Sequence, residues 1–203
     1  MKLLTLTRKT LCIAALLCIS ALTSKANLVV NPGFETGSFS GWTLVDTSGL
    51  SNVGSDPLFA HSGTYHANLG TNPVPPGPSN IGSLSQNLLT SPGSLYNLSF
   101  WLANDVDPNL SPVTTFSVFW NGVSVFTLTP NSPAFGYTQF SVANLAAPTG
   151  STPLEFRFQH DNDFFRLDDV AVNAPEAGST LWMAFPVFAV FGLLHLRQRL
   201  KKA

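Results

Sequence analysis

Between Asn27 and Asn173 the chain has no lysine, no cysteine and no helical periodicity, and each absence excludes something. Without cysteine the stretch can form no disulfide, so its stability must come from a hydrophobic core or from a bound metal. Without lysine, the ten carboxylates Glu35, Asp46, Asp56, Asp105, Asp107, Glu155, Asp161, Asp163, Asp168 and Asp169 face only Arg157 and Arg166. Ten acids against two bases leave −8 in this stretch, which the whole-chain value of −1 conceals. Nucleic acid and anionic lipid are polyanions and make poor partners for such a surface. Neutral glycans, cations and cationic surfaces remain open.

Catalytic signatures are missing as well. There is no G-x-S-x-G, no HExxH and no cysteine nucleophile in the stretch. His61, His66 and His160 read as ordinary surface histidines; the two nearest are five residues apart, on opposite faces of a strand. Asp105 and Asp107 could pair as glycosidase carboxylates, yet "NDVDPNLSP" reads as a loop. Asp161 and Asp163 in "HDNDFF" match a calcium-loop pattern poorly, having no following Gly or Glu. The chain is expected not to be an enzyme.

Both ends carry what the middle lacks. Lys2, Arg8 and Lys9 precede the apolar run Leu11 to Leu22, and Ser24-Lys25-Ala26 forms a small-x-small cleavage site. Residues 1–26 are therefore expected to be a Sec signal peptide, too short in its apolar part to span about 30 Å of hydrocarbon. Cys12 and Cys18, the two cysteines of the chain, lie inside it, and Leu17 stands where lipidation of Cys18 would need a small residue. At the other end Leu181 to Leu196 is apolar except for His195 and runs into Arg197, Arg199, Lys201 and Lys202. As a helix it would span roughly 24 Å, close enough to the bilayer core for snorkelling arginines to cover the difference. The basic tail orients it with the tail cytoplasmic and the domain outside. The expected organisation is 1–26 signal peptide, 27–173 folded domain and 174–203 C-terminal sorting segment.

The middle reads as short strands separated by Gly, Pro, Asn and Ser. "YNLSFWLAND" alternates Tyr96, Leu98, Phe100 and Leu102 with Asn97, Ser99, Trp101 and Ala103. "TTFSVFWNGVSVFTL" holds two β-rich runs around Asn121-Gly122, a strong hairpin signal. Further strands are predicted near 65–69, 82–89, 137–142, 154–160 and 164–172, with "NPVPPGPSN" (72–80) as a loop inside one domain. The predicted fold class is all-β, an antiparallel β-sandwich.

Several phrases carry a resemblance in their order: "VVNPGFETGSFSGWT", "HSGTYHANLG", "LSQNLLTSPGSLYNLSFWLAND", "PAFGYTQF" and "FFRLDDVAV". Across residues 29–172 they resemble the galactose-binding-like jelly-roll domain of bacterial proteins that carry a PEP-CTERM sorting tail. The tail is similar too, with Pro175-Glu176, an apolar run and a basic end, although Ala177 stands where a second Pro is usual. The resemblance implies Sec export, transient membrane anchoring by the C-terminal helix, and processing near Pro175 and Glu176 by an exosortase-type enzyme. It further implies residence at the cell surface or in an extracellular, biofilm-type matrix, and association with exopolysaccharide or another glycan. A structural matrix protein without sugar binding is the alternative.

The resemblance also implies a structural Ca²⁺, held by Glu35 and Asp168 with backbone carbonyls near Ser62 and Gly63. Hard oxygen ligands suit that ion, and carboxylates distant in sequence can meet where terminal strands pair. In a regular strand Asp168 and Asp169 point to opposite faces, so Asp168 is assigned to the site unless a bulge brings both in. For sugar contact the candidates among Trp42, Trp101, Trp120, Tyr65 and Tyr137 narrow to Trp101. Trp42 and Trp120 are expected to pack inward, whereas Trp101 shares a face with Asn97 and Ser99.

Overall fold

The structure is a computed structural model that describes residues 26–71, 81–107, 113–161 and 163–174. Ten strands follow in chain order: β1 (Thr43–Val45), β2 (Asn52–Gly54), β3 (His66–Leu69), β4 (Gly82–Leu89), β5 (Leu95–Asn104), β6 (Thr114–Trp120), β7 (Val123–Thr127), β8 (Phe135–Ala146), β9 (Ser151–His160) and β10 (Phe165–Asn173). They form two five-stranded sheets, β1-β4-β9-β6-β7 and β2-β3-β10-β5-β8, and every strand pair is antiparallel. The all-β sandwich is thus present, with no helix among the described residues.

Alternation places the strands. In β5 Tyr96, Leu98, Phe100 and Leu102 are buried between the sheets, whereas Asn97, Ser99 and Trp101 face outward. Between the sheets aromatic rings interlock: Phe156 lies 5.4 Å from Phe100 and 5.9 Å from Phe116, centroid to centroid. Trp42 and Trp120 lie in the core as expected, and each satisfies its indole N–H on a carbonyl, of Asn31 (3.1 Å) and Ala146 (2.7 Å). The β6–β7 hairpin turns on Asn121 (φ 49°) and Gly122 (φ 77°), the left-handed pair a type I′ turn requires.

β1 and β2 were not predicted. Each has three residues at or next to a sheet edge, too few for a period-two signal. The run at 27–30, strand-like in sequence, instead clips onto β10. Leu28 N–H donates to Val172 O (3.0 Å), and the Asn27 side chain bonds both Val170 O (2.8 Å) and Val172 N–H (2.9 Å). The signal peptide and the sorting helix, with Pro175 and Glu176, lie outside the described residues.

Candidate functional site

Three carboxylates close over one loop. Between Asp168 and Ala171 the pairing of β10 with β5 slips, and Asp169 takes a left-handed φ of 47°. This bulge defeats the parity of a regular strand and turns both aspartates toward residues 61–62. Asp168, fully buried, accepts from the His61 amide (2.9 Å), the Ser62 amide (3.2 Å) and the Asp169 amide (2.8 Å). Asp169 accepts from the Ser62 hydroxyl (2.9 Å) and lies 2.7 Å from His61 Nδ1. Burial pushes the Asp168 carboxyl up to about 6, against the pull of the Ser62 amide. Assigning Asp168 alone therefore understated the cluster, because Asp169 belongs to it.

Glu35 reaches the same loop from the N-terminal side. Its Oε1 accepts from the amides of Thr64 (2.9 Å) and Tyr65 (3.0 Å), 29 and 30 residues away. Gly63 (φ 66°) passes directly beneath it, and a Cβ there would run into the Glu35 carboxylate. A Cβ on buried Gly33 would stand 3.2 Å from Asp169 Oδ1, 3.3 Å from Asp168 Oδ1 and 3.8 Å from Glu35 Cγ. Glu35, Asp168, Ser62 and Gly63 are thus brought together, and Gly33 packs closely beside Asp168 and Asp169. On the loop side, however, the groups seen facing these acids are the amides of 61, 62, 64 and 65, where carbonyls of Ser62 and Gly63 were expected. Among the described residues no group of three or more His, Cys, Asp or Glu side chains is placed to hold a metal.

The carboxylates hold residues 55–65 across the outer face of the second sheet. The His61 ring stacks on Trp101 at 3.7 Å and 16°, and meets the edge of Tyr137 at 5.5 Å. The Tyr137 hydroxyl donates to Phe59 O (3.0 Å), and burial holds this phenol well above its ordinary value. Trp101 does lie on the outer face, but it offers its indole to His61. Exposed Asn97 accepts from the Asn144 amide (3.2 Å) and stands four residues along the strand, roughly 13 Å from Trp101.

Beneath residues 55–59 lies a cavity of about 290 Å³. Its walls include Phe59, His66, Asp105 and Arg166, none of which the sequence marked as one site. Arg166 pairs with Asp105, and its guanidinium carbon lies 4.8 Å from the centre of the Phe59 ring. His66 is buried rather than on the surface; burial, and then the Arg166 charge, hold it below its ordinary value. His160 is likewise buried, its Nε2 at 3.0 Å from Asn104 Oδ1 between the two sheets, and burial lowers it too. The causes differ: His66 lies beneath residues 54–59 on the outer face, whereas His160 turns inward between the sheets, and local sequence reveals neither. Asp105 is committed to Arg166. Asp161 accepts from Thr71 and Gln159, and Asp163 from the amide of Phe164, so these two aspartates take separate partners.

No family model matches the sequence, and no curated protein does. Solved structures match the fold. TmCBM61 in complex with beta-1,4-galactotriose is 20% identical with a TM-score of 0.57, covering 74% of this chain and 99% of that one. The CBM22-1 and GH10 modules of Clostridium thermocellum endo-1,4-beta-D-xylanase 10B, complexed with xylohexaose, are 16% identical with a TM-score of 0.50, covering 74% of this chain and 29% of that one. The enzymatically active domain of Bacteriophage CBA120 tailspike protein 4 is 16% identical with a TM-score of 0.53, covering 73% of this chain and 21% of that one. The likeness is one of fold: this chain shares with these structures a two-sheet, all-β jelly roll.

Proposed function

We propose that this protein is an exported, surface-sorted, non-catalytic β-sandwich that associates with exopolysaccharide or another glycan. One observation carries the glycan part. The outer face of the second sheet interleaves aromatic rings (Phe59, Tyr137, Trp101) with hydrogen-bonding side chains (Asn68, Asp105, Arg166), and one loop is fastened over it. Rings match the apolar faces of sugars, and fixed polar groups select their hydroxyls. The fold shared with carbohydrate-binding modules supports the same reading. For sorting, the support is the sequence: an N-terminal leader, the Pro175-Glu176 pair, the apolar segment 181–196 and the basic end. These features suit Sec export, anchoring in the membrane and processing by an exosortase-type enzyme.

Ca²⁺ is proposed as a structural partner of Glu35 and Asp168, with Asp169 added. Two carboxylate oxygens, Asp168 Oδ1 and Asp169 Oδ1, border Gly33 with the Glu35 side chain beside them, and hard oxygens of this kind support the reading; the amides of the facing loop argue for a shell completed from elsewhere than Ser62 and Gly63. When bound, the ion would neutralise the buried Asp168 and fasten residues 61–65.

Retention of the full chain in native gels containing soluble polysaccharides, run with calcium and with chelator, tests the reading. Slowed migration on at least one glycan supports association. Migration unchanged on every glycan favours the structural matrix protein. A rise in melting temperature on adding millimolar Ca²⁺, absent in Glu35→Gln, supports the metal; no rise in the wild type removes it.

A further inference from the structure

We propose that the cavity between residues 54–59 and the outer face of β3, β10 and β5 binds one neutral sugar unit through adjacent hydroxyls. This rests on the glycan reading and assigns it a place and a chemistry. Two buried nitrogens among the cavity walls, His66 Nδ1 and Arg166 Nε, have no hydrogen-bond partner. His66 is 2% exposed, so its unpaired nitrogen has little access to bulk water. An unsatisfied buried polar atom is costly, and both belong to side chains that line this one cavity, which is the ground for placing a hydrogen-bonding ligand in it.

The wall groups also define what the partner must present. Arg166 Nε–H can only donate, whereas the carboxylates of Asp56 and Asp105 can only accept. A ligand serving both must offer acceptors and donors side by side, and a hydroxyl is both. Charge narrows the class further. Two carboxylates against one guanidinium, which Asp105 already engages, leave a negative excess that disfavours uronic acids and sulfated sugars. An ammonium would suit that excess but has no lone pair for Arg166 Nε–H. Half-exposed Phe59 and partly buried Phe164 supply apolar walls for the C–H face of a ring. At about 290 Å³ the space sits near the lower end, about 300 Å³, of small-ligand pockets, which suits one unit rather than a long segment.

Gly54 lets the His66 and Asn68 side chains lie directly against its backbone at the edge of this space. A Cβ there would stand 2.6 Å from His66 Cε1, 2.7 Å from His66 Nε2 and 2.9 Å from Asn68 Nδ2. No positive φ is required at this position, so the absence of a side chain serves space rather than backbone conformation.

The test measures binding of the full chain to a panel of neutral polysaccharides (galactan, xylan, β-glucan) and acidic ones (a polyuronate, a sulfated galactan). Wild type is compared with Phe59→Ala, Arg166→Met and Arg157→Met, each first checked by its melting temperature. The expected result is binding to at least one neutral glycan, weakened about tenfold or more in Phe59→Ala and Arg166→Met, and little changed in Arg157→Met on the other sheet. Phe59 is on the surface of a loop, so its variant keeps the fold even if Arg166→Met does not. Neutral-glycan binding left intact in Phe59→Ala overturns the cavity while sparing the glycan reading. Binding confined to acidic polymers overturns the sugar class. Failure to bind any member of the panel overturns the cavity and the glycan reading together.

Discussion

The domain's two arginines, one on the outer face of each sheet, have opposite surroundings. Arg157, on β9 of the first sheet, holds Glu155 at 3.0 Å and covers the Phe119 ring at 4.1 Å, with its side chain 46% exposed. Arg166, on β10 of the second, is 17% exposed, packs under Phe59 and leaves Nε unpaired. The first pair is a solvated surface contact on a face otherwise set with serines such as Ser83, Ser85 and Ser117. The second lies in a face where charged groups are kept from water by a loop. One core supports both sheets, so the difference comes from the loop that lies over the second.

The comparison can be broken at graded positions. Gly63→Ala should have the largest effect. A left-handed alanine costs roughly 1–2 kcal/mol, and displacing the Glu35 carboxylate raises the total to about 2–3 kcal/mol, read as a lower urea midpoint. Gly93→Ala, at a similar φ of 77° with nothing within 4 Å, should lose only about 1 kcal/mol. Similar losses would show that the acid-capped loop contributes no special constraint. Glu35→Gln keeps an acceptor oxygen but no charge, and should cost about 1 kcal/mol, with faster hydrogen exchange confined to the amides of Thr64 and Tyr65. Arg157→Met should change the melting temperature least, by no more than the few tenths of a kcal/mol typical of exposed pairs.

A pH series sharpens the contrast in another way. His66 and His160 are both held below their ordinary value by burial. In the unfolded chain they take up protons as pH falls through about 6.5, whereas the native state resists. The native value being the lower one, their contribution is complete above about 6.5 and is lost as pH falls from there toward the native values. Urea midpoints should drop between pH 7 and pH 5.5, by less than the two histidines alone would give because Asp168, held up to about 6, takes up a proton in the native state over the same range, and His160→Gln should flatten part of that drop. A drop that persists in full would place the proton uptake elsewhere.

How much of this was legible varied by element. The β6–β7 hairpin was plain because Asn121-Gly122 fixes a turn locally, and β4 and β5 because long alternation survives any context. The gathering of Glu35 with Ser62, Gly63 and Asp168 was reachable through resemblance alone. Asp169 was not, since a bulge depends on how β10 meets β5. Trp101 was correctly placed outward, but its cover by His61 belongs to the path of a loop. The cavity had no sequence signature: Phe59, His66, Asp105 and Arg166 come from four separate segments.

Composition and alternation by themselves determined that the middle of this chain is an acidic, disulfide-free, all-β sandwich with an apolar core, because a period of two sorts residues between core and water without reference to distant partners. Only the tertiary structure decided which of the outward residues are truly exposed. Whether Arg166, His66 and Asp168 meet water depends on residues 55–65 lying over them, and that path is set by carboxylates 29 to 108 positions away in the chain.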